Sequence, residues 1–475
     1  MLEFLILLPL LAGLAVFALP VRMGRVVLAA SGLLHLQLTL LGWLRPAQIA
    51  LPAFFAPTPA GMLVLLVTSF IFVFIAAYGI FYMREQEMQS EPVYLGCMLL
   101  FLGTMSMAAL ADHPIVLWIA IEATTLASAP LIFINRSKKA LEATWKYVLI
   151  CSVGIALALL GFFFITLSLD RAGLDLPLTF TSLNSVADRL DPRWLKIGFL
   201  FVLIGFGTKM GLAPMHTWLP DAHSEAPSPA SALLSGALLN CAFLGIYKTH
   251  TLLHLAGLGD FSGALLIGFG LLSMLVAGIF ILDQPDYKRL LAYSSIENMG
   301  VIAFGVGIGG LALYGAMLHL VHHSLLKSSL FLSAGNLVLG FGSKLVAQTG
   351  NMARMLPRTF VAFFAGFVGI SGLPPFGVFA SELLIVLGAF RSGHPLAAGL
   401  FIAGLVLVAA GFARIVTAMS FGPSRDEILV PEQGLRLASP FALLCTSALL
   451  VVWMPAPLLD TIAGAIALLG GQIHG

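Results

Sequence analysis

Two histidines and a lysine recur every four residues within one apolar stretch, as His319, His323 and Lys327 of MLHLVHHSLLKSS. A four-residue step keeps side chains on one face of a helix. The three therefore form a stripe through the helix centre. Its chemistry is proton exchange, because imidazole titrates near neutral pH and a lysine ammonium carries a proton. His322 lies about a sixth of a turn from His319 on the helical wheel and is a secondary candidate. Histidines also ligate haem, but a ligand pair needs a facing helix with histidine or methionine at matching depth, and no other central stretch supplies the histidine.

Further ionisable residues interrupt other apolar stretches: Glu122 in WIAIEATTLAS, Lys146 in EATWKYV, Lys209 in GFGTKMGLAP, Glu297 in LLAYSSIENMG and Glu382 in SGLPPFGVFASELL. A charge held in hydrocarbon costs several kcal/mol on most scales unless it is paired or hydrated, so each is a functional candidate. Lys146 lies near the end of its stretch, where a long side chain can also snorkel to the interface. Lys209 immediately precedes a break at Gly211 and Pro214. Broken helices at membrane depth are tolerated only inside protein or beside water, so a lysine at a break points to a hydrated cavity. GLAP at Gly211 and GLPP at Gly372 are matched breaks, the sequence pointer to internal repeats in transporters.

Metal chemistry finds less support. His216, Asp221, His223 and Glu225 follow the first break but lack diagnostic ligand spacing, and Pro220, Pro227 and Pro229 suggest a rigid capping loop. Cys97, Cys151, Cys241 and Cys445 each stand alone in an apolar stretch, with no CxxC. No cofactor is expected in this chain, and any electron chemistry belongs to a partner.

The elements that must hold these groups follow from composition. Of 475 residues, 59% are apolar and 10% charged, with a mean hydropathy of +1.02. Such values exclude an ordinary soluble domain, and continuous apolar runs without alternation exclude a membrane β-barrel. An all-α polytopic bundle is expected, with about fourteen spans of roughly 20 residues each. They run near Leu2–Pro20, Val26–Leu44, Gly61–Tyr82, Val93–Ala111, Pro114–Ile134, Leu141–Leu169, Leu195–Leu212, Ser231–Leu253, Gly263–Leu282, Leu290–Gly310, Leu311–Gly340, Phe360–Phe390, Ala397–Phe421 and Leu437–Met454. The tail Leu458–Leu469 is too short for a span and is expected in the interface, and the first stretch reads as a retained helix rather than a signal peptide. Thirteen loop cations, from Arg22 to Arg436 and including Arg425, fall on one side if both termini are outside. The net charge of +2 offers no basic block for nucleic acid.

GFGTKMGLAPMHTWLPDAHSEAPSPASALLSGALLNCA, IEATTLASAPL with EATWKYVLICSVG, and DYKRLLAYSSIENMG carry a resemblance over nearly the whole chain. The sequence resembles the antiporter-like membrane subunits of respiratory complex I, Mrp cation/proton antiporters and membrane-bound hydrogenases, with the hydrogenase 4 type nearest. The resemblance implies N-terminal helices over 1–92, inverted five-helix repeats over 93–253 and 254–421 with broken helices seven and twelve, and a final helix and tail over 422–475. It makes Glu122 and Lys209 a charged pair and matches Lys146 to a sixth-helix lysine. From the pair it leads through His319, His323 and Lys327 to Glu382. Asn240 stands where some relatives have an eighth-helix lysine, which places more of the relay on the histidines. The ending at Gly475 leaves no long lateral helix. The implied function is proton translocation, with sodium as the alternative ion, beside other membrane subunits and peripheral redox subunits in an inner membrane. A secondary cation/proton antiporter subunit and the membrane half of an inorganic-carbon uptake system are the alternatives.

Overall fold

Proline and small polar residues set where the helices begin. The computed structural model describes residues 2–45, 50–86, 90–423 and 428–470. Arg425, one of the cations used for orientation, lies outside the described residues. The first six helices are α1 Phe4–Val16, α2 Val21–Leu44, α3 Pro59–Glu85, α4 Glu91–Leu110, α5 Pro114–Ile132 and α6 Lys138–Arg171. A short α7, Phe180–Ser185, leads to α8 Pro192–Met210 and α9 Trp218–Glu225. Next, α10 Ser228–Leu233 runs through a π turn at Leu234–Leu238 into α11 Leu239–Leu255. Then come α12 Gly259–Ile281, α13 Tyr287–Ile308, α14 Gly310–Phe341, the short α15 Met352–Met355, α16 Pro357–Ile370 and α17 Gly377–Arg391. The chain ends with α18 Pro395–Phe421, α19 Gly434–Val452 and α20 Ala456–Ala467. Prolines open α3, α5, α8, α16 and α18, where the missing N–H has no intrahelical partner to lose. Thr58, Ser137, Asp191 and Asp286 cap helices by accepting first-turn N–H groups.

Eleven of the described helices are long and apolar enough to cross a membrane, twelve if α19 and α20, bent by 79°, count as one span. The expected first span is a 13-residue helix, and the expected twelfth is two pieces of 14 and 15 residues, α16 and α17, parted at the second Gly/Pro break. Between the described helices there is no sheet, only the isolated bridges Phe55 to Ala111 and Asp286 to Leu345.

The segment after Lys209 departs from expectation. Instead of a capping loop it forms α9, and His223 within it is fully buried. The reason is the Trp218 side chain, whose Nε1 donates to the Thr208 carbonyl at 2.8 Å and pulls the new helix back along α8. Both breaks share one geometry. Gly211 and Gly372 have φ of +86° and +68°, a region that glycine enters without a Cβ penalty. At each, the following leucine N–H reaches back five residues, Leu212 to the Gly207 carbonyl at 2.8 Å and Leu373 to that of Val368 at 3.2 Å.

Packing decides which helices hold the charges. Where α6 crosses α8, a Cβ on Gly205 would lie 2.5 Å from the Gly154 carbonyl oxygen, so the crossing exists because both positions lack side chains. The most apolar 18 residues of Ser228–Leu255 are wholly enclosed, and those of α13 and α14 are 89% enclosed, whereas those of α18 are only 28% enclosed. Glu297 on α13 and His319, His322, His323 and Lys327 on α14 are thus surrounded by protein rather than by the apolar outer face.

Candidate functional site

Enclosure and helical phase together build the second half of the site on α13, α14 and α17. His319, His323 and Lys327 are all fully buried on α14, as the four-residue step requires. Asn298 anchors the start. Its Nδ2 donates to the Ser294 carbonyl at 2.7 Å and to Glu297 Oε2, which leaves Oδ1 facing His319 Nε2 at 3.0 Å. The network therefore assigns a proton to Nε2. The other ring nitrogen, Nδ1, lies 3.0 Å from the Ser381 hydroxyl, which also reaches the Val378 carbonyl at 2.8 Å.

That arrangement serves two protonation states. With His319 neutral, the Ser381 hydroxyl donates to Nδ1; with His319 protonated, Nδ1 donates to Ser381 and the hydroxyl turns to Val378. No heavy atom has to move. Ser381 adjoins Glu382, which is 7% exposed and folded back on the break, so that a Cβ on Gly372 would lie 2.0 Å from its Oε2.

His323 continues the stripe, with its ring stacked on His319 at a centroid distance of 6.4 Å and an interplanar angle of 11°. Both of its ring nitrogens are buried without a protein partner. An unpaired buried polar group costs roughly 1–3 kcal/mol, which bridging water offsets. Lys327 donates to the Leu291 carbonyl at 2.9 Å. His322 faces elsewhere, bonding Ser447 at 3.0 Å and packing against the bare backbone of Gly377.

The first half sits on α5, α6 and α8. Lys209 is fully buried, and its ammonium donates to Thr125 Oγ1 and the Tyr147 hydroxyl, both at 2.7 Å. It also lies 4.4 Å from the Tyr147 ring centroid, a cation–π contact. Glu122, one turn before Thr125 on α5, accepts from Ser152 at 2.7 Å, and its other oxygen is buried without a partner. The expected Glu122–Lys209 pair is therefore not a direct ion pair. Hydroxyls hold the ammonium instead, while Ser152 holds the carboxylate.

Lys146 stands apart from Lys209. Its side chain is 45% exposed and pairs with Glu142 at 2.6 Å and Asp221 at 3.0 Å. Asp221 also takes Arg289 of α13, so one carboxylate ties the two halves at the mouth of an open polar cavity of 590 Å³. Asn240 lies between the halves, donating to Ser324 of α14 at 2.8 Å, with its own Oδ1 unpartnered.

Sequence reasoning missed several groups. Thr125, Tyr147, Asn298 and Ser381 are uncharged and carried no alarm, although Tyr147 follows Lys146 directly and helical phase alone turns one inward and the other out. His223, assigned to a cap, is stacked on Phe331 of α14 at 5.0 Å with neither ring nitrogen bonded. Lys288, in the first turn of α13, is 4% exposed and donates to the Ser224 and Ala226 carbonyls.

Fold and site together define a multi-pass helical membrane protein that keeps a file of ionisable and hydroxyl groups inside its bundle. The chain belongs to the NADH:quinone oxidoreductase/Mrp antiporter transmembrane family, whose model matches residues 111–408. It is 40% identical over 326 residues to a hydrogenase-4 component F homolog of Methylacidiphilum infernorum, covering 68% of each chain. Its fold is similar to a subunit of an archaeal membrane-bound sulfane sulfur reductase, with a TM-score of 0.86 at 22% identity over 99% of this chain and 98% of the other. It is also similar to a subunit of the Mrp complex of a Dietzia species, with a TM-score of 0.85 at 20% identity over 98% and 96%.

Proposed function

We propose that the chain translocates protons as an antiporter-like subunit of a larger redox-driven complex of the hydrogenase 4 or complex I type, with both termini outside. The observation that carries this is the His319–Ser381 contact beside Glu382, a built site for taking up and releasing a proton without moving the backbone. In mechanism, a neighbouring membrane subunit perturbs Glu122, and the change reaches Lys209 through the Thr125 and Tyr147 hydroxyls one turn away. A buried ammonium that loses electrostatic support gives up its proton. The proton passes along hydroxyls and water to Lys327, His323 and His319, and leaves by Glu382. Lys146 serves at the polar mouth with Asp221, where it gathers charge near the entrance.

Two halves with corresponding parts are part of the proposal. The like-built breaks at Gly211 and Gly372 support it, as does the buried or partly buried glutamate two spans before each broken span, Glu122 on α5 and Glu297 on α13. The relative named as a hydrogenase-4 component supports the class of partner.

The deciding experiment is proton pumping by the complete complex in vesicles, with Glu122→Gln or Lys209→Met in this chain. Loss of pumping with electron transfer retained is expected. Pumping at the parental stoichiometry overturns the assignment. Cation-dependent proton exchange by the chain without an electron donor would instead favour a secondary antiporter.

A further inference from the structure

At the end of the bundle where α4 meets α5, a second ionisable pair lies outside the path just described. A cavity of 410 Å³ opens there, lined by Asp112, Phe180, Thr181, Asn184, Lys248 and Thr251, with α20 along its edge. Asp112 is 2% exposed and Lys248 6%. Asp112 Oδ2 accepts the Thr181 N–H at 3.3 Å, whereas Oδ1 is buried with no partner. Asn184 Oδ1 is likewise buried and unpartnered. The Lys248 ammonium donates to the Ala111 carbonyl rather than to the carboxylate, and lies 5.4 Å from the Phe180 ring.

An ammonium with spare donors beside two orphaned acceptors is a set that water completes, and the cavity has room for several molecules. Desolvating a carboxylate and an ammonium together is costly, so packing alone is a poor reason to keep both here. Asp112, Tyr247 and Lys248 are the titratable side chains lining the cavity. The Tyr247 hydroxyl is occupied by the Ala465 carbonyl, and nearby His113 and His250 are turned to the Ile115 N–H and to Ser262.

Inward from the cavity, Lys248, Leu244 and Asn240 step along one face of α11 at four-residue spacing. Asn240 bonds Ser324 on the helix of the histidine stripe. Just over two turns of helix, about 12 Å, with the fully buried Leu244 midway, therefore separate Lys248 from Asn240 and its contact with that stripe's helix.

We propose that this cavity is a proton-exchange port at the outer face, with Lys248 the exchanging group, Asp112 its counter-charge and Leu244 the dry step behind it. The port rests on the proton-translocating reading above. In the exchange an N–H bond of the ammonium breaks as an O–H bond forms on cavity water, leaving a neutral amine and hydronium; the reverse reloads the lysine.

The test uses the complete complex in sealed vesicles, with Lys248→Gln, Asp112→Asn and Lys209→Met compared side by side. A fourth variant, Asn184→Cys with Cys445→Ser, removes the exposed native thiol and leaves the three buried ones. A membrane-impermeant maleimide is expected to modify Asn184→Cys from the outer side and to lower pumping. Lys248→Gln is expected to slow pumping about 100-fold, the low end of what a positioned acid–base group supplies. Parental pumping in both Lys248→Gln and Asp112→Asn overturns the port, as does a cysteine at 184 that is not reached from outside. If Lys209→Met pumps normally, the underlying reading falls; if it alone is dead while Lys248→Gln pumps, only the port falls. Should Lys248→Gln fail to assemble, the near-isosteric Asp112→Asn and the cysteine decide.

Discussion

The Ser381 hydroxyl stands between His319 Nδ1 at 3.0 Å and the Val378 carbonyl at 2.8 Å, so one rotation of an O–H bond matches the gain or loss of a proton on the imidazole. Replacing Ser381 by alanine removes that match at a cost of about 1 kcal/mol in stability. The subunit is expected to assemble, with a pumping rate at least several-fold lower, and Ser381→Thr is expected to restore most of it. Vesicle pumping assays on the two variants check this, and an alanine variant at the parental rate would exclude the hydroxyl from the path.

His323 separates a structural from a functional role. Its two buried ring nitrogens have no protein partner, so removing them breaks no hydrogen bond within the protein and stability should be unchanged or higher. His323→Leu is therefore expected to raise or hold the thermal midpoint of the solubilised complex while abolishing pumping. A destabilised but pumping variant would reverse both parts.

Tyr147 holds one of the two hydroxyl contacts of Lys209 and also bonds Ser128 at 2.6 Å. Hydrogen bonds to charged groups are worth about 1.5–3 kcal/mol. Tyr147→Phe should lower the thermal midpoint and reduce pumping, though less than Lys209→Met does. Equal activity of Tyr147→Phe and the parent would show that the ammonium needs only Thr125.

Asp221 bonds both Lys146 and Arg289, but these partners are 45% and 35% exposed. Exposed pairs contribute at most about 1 kcal/mol each. Asp221→Asn should leave assembly intact and shift the thermal midpoint by no more than a few degrees. Its effect on pumping should be largest at low ionic strength, where surface charges are least screened.

At the α6 and α8 crossing, Gly205→Val places a side chain 2.5 Å from the Gly154 carbonyl oxygen, where backbone must yield. Overpacking of this kind costs about 1–3 kcal/mol or more. Loss of the subunit from the membrane fraction is expected, while Gly399→Ala, which meets nothing within 4 Å, should be silent.

The outline of these features was legible because the bilayer leaves few solutions. Long apolar runs marked the spans, Gly211 and Gly372 marked the breaks, and the spacing of His319, His323 and Lys327 put them on one enclosed face. Hydroxyls were not legible, since serine and threonine are common in these helices and only contacts distinguish Ser381 from its many equivalents. Proline misled at His223: Pro220 falls in the first turn of α9, where it starts a helix instead of breaking one. Lys146 and Tyr147 were weighed by charge alone, whereas 100° of helical rotation assigns the inward place to the tyrosine.

The carboxylate of Glu382 occupies the space that a side chain at position 372 would fill. The space at the two positions is consequently shared. A larger residue at 372 would require the acid to move in the same step, whereas loss of the acid alone would still leave a backbone with φ of +68° that favours glycine.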